Sequence, residues 1–284
     1  MKESVGAAGV VIHPTAIVSE GALLGEGTVV GPYAIVGPHV RMGRGNIVGA
    51  HAVIDGHTTL GDENQIFSFA AVGGTPQDLK YKGEPTTLVI GSRNLIREYV
   101  TLHPGTVTGT STTIIGDRNL FMANSHVGHD GRIGNGNIFA NSAGLAGHVT
   151  VGNSVTVGGL SGIHQFVRLG DFSFIGGGAM VVRDVPPQCL VQGDRAHLCG
   201  INRIGLRRRG VNAADIRRLG TIYRQVFYGV GRPARERLEE RVAAAKISAI
   251  DFPIGLHFLA FFEEKNRGVT RPRRGRAEER SDEE

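Results

Sequence analysis

The 284-residue sequence contains no tryptophan and only two cysteines, Cys189 and Cys199. These cysteines match no metal-ligand spacing and cannot build a disulfide framework, so a reducing cytoplasm is the expected compartment. No run approaches the ~18 apolar residues of a membrane span. The first residues also lack the basic region and apolar core of a signal peptide. The sequence therefore predicts a cytoplasmic protein without a transmembrane segment.

Aromatic residues are scarce, at 6%, and they are not interleaved with the basic residues. A nucleic-acid-binding surface is therefore not predicted, although the formal net charge is +5. Glycine, by contrast, contributes 43 residues, roughly twice the usual ~7%. With 40% hydrophobic residues, this composition favours a folded chain with many tight corners over a disordered one.

A six-residue repeat runs through most of the chain. Every sixth residue is apolar over residues 12–72, 90–102 and, one residue out of frame, 115–181. A period of six fits neither an amphipathic helix nor a lone strand. Three hexads close a coil of 18 residues, and successive coils stack as parallel strands about 4.8 Å apart. The predicted fold class is mainly β, a parallel β-helix of hexapeptide repeats.

The repeat also divides the chain. Residues 1–200 are predicted to form the β-helix, with loops at 74–87 and 104–113, and the repeat stops near Pro186 and Pro187. Residues 201–264 are predicted to form an α-helical C-terminal domain, and the charged tail 265–284 is expected to be disordered. Asn212 can cap a helix that runs to about Tyr228. Two further helices are predicted around ARERLEERVAAAK and HFLAFFEE.

The 18-residue period predicts which side chains are neighbours in space. His129, Gly147 and Gln165 are 18 residues apart, so they should form a column at one corner of three coils. The histidine could supply a general base, and the backbone N–H of the neighbouring glycine could supply an oxyanion donor. Each residue alone could be an ordinary polar corner residue. Four histidines within this segment favour a site: His126, His129, His148 and His164.

Three other features have both a functional and a purely structural interpretation. Gly159, Gly177 and Arg195 form a second predicted column, which is either a groove for an extended apolar ligand or a row of corners. The loop around Gln77, Asp78 and Lys80 could hold sugar hydroxyls and phosphate, or it could simply be solvated. The arginine run at 203–209 could meet phosphates or an acidic protein, or it could be a solvated helix start.

Together, the motifs PQDLKYKGEPT, HVGHD, LAGH, HQF, DVPP and GLRRRG give the chain a specific resemblance. The sequence resembles the UDP-N-acetylglucosamine O-acyltransferase family of hexapeptide-repeat acyltransferases. The resemblance implies a left-handed winding and a homotrimer with active sites between subunits. It implies transfer of a 3-hydroxyacyl chain from acyl carrier protein to the glucosamine 3-hydroxyl of UDP-N-acetylglucosamine, the first step of lipid A biosynthesis. No metal and no cofactor is implied beyond the phosphopantetheine of the carrier protein.

The resemblance also assigns roles to residues. His129 would be the general base, Asp130 would orient it, and the Gly147 N–H would stabilise the oxyanion. Gly177 would measure acyl length and imply a long chain. Arg195 and Ile204 depart from the best-known relatives, which leaves the acyl length and a 3-amino acceptor open. Substrate contacts are implied for Gln77, Asp78, Lys80, His103, His126, His148, His164, Gln165, Asn202, Arg208 and Arg209.

Three alternatives remain at this point. An N-acyltransferase of the same fold and donor typically carries an extra N-terminal domain, for which a repeat beginning at Ile12 leaves no room. A γ-type carbonic anhydrase uses an H-x4-H pair of metal ligands, whereas the nearest histidines here are His126 and His129. A non-catalytic or ice-binding β-helix needs regular ranks of threonine and no cluster of His, Asp and Lys.

Overall fold

The computed structural model describes residues 4–5, 9–231, 236–264 and 267–273. Its strands are short, mostly two residues each. Up to the first loop they are β1 Ser4–Val5, β2 Val11–Ile12, β3 Ile17–Val18, β4 Leu23–Leu24, β5 Val29–Val30, β6 Ile35–Val36, β7 Arg41–Met42, β8 Ile47–Val48, β9 Val53–Ile54, β10 His57–Leu60, β11 Gln65–Ile66 and β12 Ala71–Val72.

After the first loop the same pattern continues to the end of the repeat. These strands are β13 Thr87–Ile90, β14 Leu95–Ile96, β15 Thr101–Leu102, β16 Thr112–Ile115, β17 Leu120–Phe121, β18 His126–Val127, β19 Arg132–Ile133, β20 Ile138–Phe139, β21 Gly144–Leu145, β22 Thr150–Val151, β23 Thr156–Val157, β24 Gly162–Ile163, β25 Arg168–Leu169, β26 Phe174–Ile175, β27 Met180–Val181, β28 Cys189–Gln192 and β29 His197–Ile201.

Every third strand belongs to the same sheet. Sheet A has twelve strands in the order β1-β2-β5-β8-β11-β14-β17-β20-β23-β26-β28-β29, sheet B has nine from β3 to β27, and sheet C has eight from β4 to β25. Neighbouring strands are parallel except at the two ends of sheet A. The sheets form the three sides of a prism, so the chain turns at an A/B, a B/C and a C/A corner. The predicted parallel β-helix is confirmed.

The second residue of nearly every strand points into the prism, where the repeat places its aliphatic residue. The aromatic members Phe121 and Phe139 stack with ring centroids 4.8 Å apart. The inside of the prism is therefore a continuous apolar core, which grows by three inward side chains with each coil.

Buried asparagines form a ladder along the C/A corner. Asn46, Asn64, Asn94, Asn119 and Asn137 are almost completely buried. The side-chain oxygen of each accepts from the backbone N–H of the residue one coil below, at distances such as 2.9 Å between Asn94 and Asn119. Because each amide satisfies a corner N–H that the strands leave unpaired, the ladder fixes the spacing of the coils.

The last full coil is shorter than the others. Ile163 pairs with Val181 at the usual offset of 18, but Leu169 pairs with Val185 and Ile175 with Val191, an offset of 16. The repeat therefore continues past Pro186, contrary to the expectation that it stops there. The shortening also makes one prediction wrong. Arg195 does not follow Gly177 in a column, because two residues are lost between Val181 and Val185.

The two loops are slightly shorter than predicted. Thr87 already belongs to β13, where it pairs with His57 and Thr112, and Thr112 and Thr113 belong to β16. The non-strand segments are therefore residues 73–86 and 103–111. Pairing with the neighbouring coils extends these strands to four residues, because it satisfies their backbone groups.

Four helices follow the last strand: α1 Arg203–Arg208, α2 Ala213–Tyr228, α3 Leu238–Ser248 and α4 Pro253–Ala260. Helix α2 is the one predicted from Asn212, whose side chain accepts from the Asp215 N–H. Its apolar face, formed by Ile216, Leu219, Tyr223 and Phe227, is buried. Helix α3 covers most of the predicted segment 234–246, of which residues 234–235 lie outside the described part of the chain. Helix α4 begins before the predicted segment 257–264 and ends within it, and α1 was not predicted. Helix α4 joins the β-helix through His257, which lies 3.3 Å from Asp171.

The prediction of a disordered tail is wrong for residues 267–273. Val269 bridges to Asp184 and Pro272 to Leu198, and Thr270 is buried with its N–H donating to the Asp184 carbonyl. The open edge of the shortened coil offers unpaired backbone groups, which this segment satisfies. Residues 265–266 and 274–284 lie outside the described part of the chain.

Replacing Asn94 by Ala should lower the free energy of unfolding by about 2–4 kcal/mol, because the backbone and side-chain amides of Asn119 and the Gly116 carbonyl lose their buried partner. Urea unfolding followed by circular dichroism measures the change. Asn141→Ala, which removes an exposed amide, is the matched control. Equal stabilities for the two variants would show that the ladder does not hold the coils together.

Candidate functional site

The candidate site lies in the turn that leads from β18 in sheet B to β19 in sheet C. His129 is partly buried there and Asp130 is 3% exposed. Asp130 adopts a left-handed conformation, with φ of 60°, which aspartate tolerates better than most residues. This turn brings the two neighbouring side chains together at the B/C corner.

His129 and Asp130 form a hydrogen-bonded pair. Nδ1 of His129 lies 2.8 Å from Oδ2 of Asp130. A carboxylate accepts the Nδ1–H and thereby fixes the tautomer in which Nε2 carries the lone pair. Nε2 is consequently the ring atom that can accept a proton from a substrate.

The loop at 103–111 encloses the carboxylate of Asp130. Asp130 accepts from the backbone N–H groups and the hydroxyls of Thr106 and Thr110, at 2.7–3.1 Å. Burial alone would raise the pKa of Asp130, but the hydrogen bonds from His129, Thr106 and Thr110 outweigh it and hold the pKa below its ordinary value. The loop therefore keeps Asp130 ionised and immobile beside the imidazole.

Gly147 lies directly below His129, as the 18-residue spacing predicts. A Cβ on Gly147 would come within 2.6 Å of both Cε1 and Nε2 of His129. Only glycine therefore lets the ring lie against the next coil. Gln165 follows one coil further, and its side chain is exposed. The N–H of the next residue, Phe166, donates to the Gly147 carbonyl at 3.3 Å. The structure thus confirms that the predicted column is continuous.

Three more histidines surround this pair. His148 stands edge-on to His129 at 5.0 Å between centroids and stacks on Phe166 at 4.5 Å. His126 lies beside His103 at 5.3 Å, and its Nδ1 is 2.8 Å from the Thr101 hydroxyl. Burial, followed by the neighbouring His103 and His129, lowers the pKa of His126 to about 4, and burial lowers that of His148. Both rings are therefore neutral hydrogen-bonding groups near neutral pH.

The first loop, residues 73–86, approaches the same corner. Nδ1 of His103 lies 3.1 Å from the Gly74 carbonyl, while its Nε2 is buried without a partner among the described residues. The charge of Asp78 reaches His148 and acts to raise its pKa, against the larger effect of burial. Gln77 and Lys80 are exposed on this loop. The loop thus presents polar side chains at one edge of the histidine cluster.

The other predicted residues lie at different corners of the same chain. Gly159 and Gly177 occupy consecutive turns at the A/B corner, where the Gly178 N–H donates to the Gly159 carbonyl. Asn202 caps α1, and its side chain also donates to the Phe172 carbonyl at the C/A corner. The guanidinium of Arg209 lies 5.4 Å from the Phe172 ring, and Arg208 is exposed. One chain therefore does not bring all the predicted residues to one site.

His129, Asp130 and His148 also have the spacing of a metal site. Their ligand atoms lie within 4.8 Å of one another, and they form the one such group within the described ranges. However, Oδ2 of Asp130 already accepts from Nδ1 of His129 and from the backbone and hydroxyl of Thr106. A saturated acceptor suits a hydrogen-bonded His–Asp pair better than a cation ligand.

Sequence reasoning missed Thr101, Thr106 and Thr110. All three hydroxyls hold a predicted site residue in place, namely His126 or Asp130. A signal was present, since the loop at 103–111 interrupts the repeat and contains several threonines. What the sequence did not show is that this loop folds back on the very next coil.

Comparisons with known proteins agree with this geometry. Residues 184–270 match the family model of the second domain of UDP-N-acetylglucosamine O-acyltransferase, and residues 21–56 match the bacterial transferase hexapeptide model of six repeats. Among the described residues, no helix has the length and apolarity needed to cross a bilayer.

Relatives with the printed name acyl-[acyl-carrier-protein]–UDP-N-acetylglucosamine O-acyltransferase match most of the chain. The protein from Burkholderia orbicola is 51% identical over 92% of this chain and 99% of its own. That from Aliarcobacter butzleri is 52% identical over 81% and 88%. The solved structure of the Moraxella catarrhalis UDP-N-acetylglucosamine O-acyltransferase superposes with a TM-score of 0.87, at 38% identity over 92% and 99%. The chain belongs to the UDP-N-acetylglucosamine O-acyltransferase family.

Proposed function

We propose that this enzyme transfers a 3-hydroxyacyl chain from acyl carrier protein to the glucosamine 3-hydroxyl of UDP-N-acetylglucosamine, the first step of lipid A biosynthesis. The observation that carries the proposal is the His129–Asp130 pair lying on Gly147. It combines a base of fixed tautomer with a backbone donor one coil away, as acyl transfer requires. The names of the relatives supply the substrates.

The reaction follows from the arrangement of these groups. Nε2 of His129 takes the proton of the sugar hydroxyl as its oxygen attacks the thioester carbonyl carbon. The Gly147 N–H donates to the resulting oxyanion, and Asp130 stabilises the imidazolium. Collapse of the tetrahedral intermediate breaks the C–S bond, and the departing thiolate takes the proton from Nε2. These groups complete the cycle, so we propose that no metal and no cofactor takes part beyond the carrier's phosphopantetheine.

The remaining polar residues then serve the acceptor and the donor. Loop 73–86 and the histidine cluster share one edge, which suits recognition of the nucleotide sugar. We assign this recognition to Gln77, Asp78, Lys80, His103, His126, His148, His164 and Gln165, with Asn202, Arg208 and Arg209 as further substrate contacts. The A/B turns at Gly159 and Gly177 carry no side chains, which suits an acyl chain lying along that corner.

The distribution of these residues over three corners supports a homotrimer with active sites between subunits. His129 lies at the B/C corner, Gly159 and Gly177 at the A/B corner, and Asn202 with Arg209 at the C/A end. Two parallel prisms side by side can bring different corners together. Sedimentation velocity should therefore give three times the mass of one chain, and a purely monomeric active species would contradict this arrangement.

We place the reaction in the cytoplasm. Cys189 is buried and Cys199 is exposed, and no disulfide joins them. This is the usual state of cysteines in a reducing compartment.

His129→Ala should lower kcat by at least about 10³-fold, because the general base is lost. The assay uses UDP-N-acetylglucosamine with a panel of 3-hydroxyacyl carrier proteins, with and without a chelator, and it also reports acyl length. The matched control is His39→Ala, which removes an exposed imidazole far from the cluster. Near-normal turnover of the His129 variant would refute the assignment, as would an inactive wild-type enzyme.

Gly147→Ala should lower kcat about 10²-fold or more, because the added methyl group displaces the His129 ring and misplaces its Nε2. Gly144→Ala is the control in the same coil, since its Cβ would meet no heavy atom within 4 Å. Thermal unfolding of both variants separates lost activity from lost fold. Similar kinetics for the two variants would show that the His129–Gly147 contact is unimportant.

A further inference from the structure

A strongly basic pocket lies beyond the candidate site. Its volume is about 450 Å³, and it is lined by His164, Val182, Arg183, Arg195 and Arg267. Three of these five residues are arginines, and three different parts of the chain supply them. Neither the acyl groove predicted for Arg195 nor the proposed acceptor contacts explain this concentration of guanidinium groups.

The shortened coil and the C-terminal segment build the pocket. Arg183 lies within the stretch from Val181 to Val185 where the coil loses two residues. Arg267 belongs to the segment that folds back on that coil, and its Nε donates to the Val182 carbonyl at 3.3 Å. The pocket is therefore a product of the two features that depart from the regular repeat.

Within the described part of the chain, the acids near the pocket are paired with another arginine. Asp184 accepts from the backbone N–H and Nε of Arg168, at 2.9 and 3.0 Å, and Glu264 lies 2.6 Å from Nη1 of the same arginine. No ion pair joins Arg183, Arg195 or Arg267 to a carboxylate of the described residues. Asp194, the residue before Arg195, is exposed, and it forms no ion pair with these three arginines.

Such a pocket is suited to a phosphate ester. Unneutralised charges around a concavity raise the local potential for anions. Guanidinium groups bind phosphate oxygens through paired, charge-assisted hydrogen bonds, which gives arginine an advantage over lysine. His164 lines the same space, and its Nδ1 lies 3.1 Å from the Gln165 carbonyl.

The pocket lies on the same edge of the prism as His129. Ile163 pairs with Val181, so Arg183 follows Gln165 in the column that begins with His129 and Gly147. Three coil steps of about 4.8 Å place it roughly 14 Å from the proposed base. A pantetheine arm contains about as many chain bonds as four amino-acid residues and therefore spans roughly 14 Å when extended.

We propose that the pocket formed by Arg183, Arg195 and Arg267 binds a phosphate-ester anion, and that its ligand is the phosphodiester of the donor's phosphopantetheine arm. The inference rests on the proposed function for the identity of the donor. The diphosphate of the nucleotide sugar has the same chemistry, so the kinetic experiment separates the two sources.

Direct binding tests the anion site without turnover. Calorimetric titration with 4′-phosphopantetheine, and with pantetheine as the matched ligand without phosphate, is made on the 284-residue enzyme and on R183Q/R195Q. The wild-type enzyme should bind the phosphorylated compound about tenfold more tightly than pantetheine, and the double variant should lose this preference. Arg44→Gln, a change of an exposed arginine on an N-terminal coil, should keep it. Equal binding of both compounds by the wild-type enzyme would overturn the proposal.

Steady-state kinetics identify the source of the phosphate. R183Q/R195Q should raise KM for the acyl carrier protein about tenfold, with KM for UDP-N-acetylglucosamine unchanged. A rise confined to the nucleotide sugar would overturn the assignment to the donor and place its diphosphate in the pocket. Unchanged KM values for both substrates would overturn the site altogether. An inactive wild-type enzyme with preserved preference for phosphopantetheine would instead reject the proposed function and keep the anion site.

Discussion

The parallel hydrogen bonding between successive coils is the constraint on which the rest of the structure depends. Each strand has only two residues in most coils, so no strand is stable alone and each is fixed by the coils above and below. The inward aliphatic residues and the ladder from Asn46 to Asn137 keep these coils in register. A side chain at one corner is therefore placed by its position in the hexad, and its neighbours are those one coil away.

The site uses this regularity and one departure from it. The column supplies His129 and Gly147 at a separation that a regular coil dictates. The loop at 103–111 then adds what the repeat cannot, a cage of hydrogen bonds for a buried carboxylate. Without Thr106 and Thr110, the buried carboxylate of Asp130 would keep only its hydrogen bond with His129, and an incompletely paired buried charge is costly. The regular coils thus set the distance between His129 and Gly147, and the loop at 103–111 keeps Asp130 ionised.

How much could be predicted from the sequence depends on the range of the interactions involved. The hexad period predicted the coils, the core and the His129–Gly147 contact, because all three follow from one offset of 18 residues. The predicted position of Arg195 was wrong. The coil loses two residues between Val181 and Val185, and the spacing of the apolar residues did not reveal this loss. The cage around Asp130 and the pairing of Val269 with Asp184 join segments distant in sequence. Periodicity contains no information about such contacts.

Both ends of sheet A finish with an antiparallel strand, β1 at one end and β29 at the other. A stack of parallel coils would otherwise present the same row of unpaired N–H and C=O groups that its own interior coils use, and a second molecule could add to it as one more coil. Reversing the last strand and laying Val269 and Pro272 along the final edge removes that template. The end strands therefore disfavour addition of a further parallel coil along sheet A, and the segment beyond the helices covers part of the final edge.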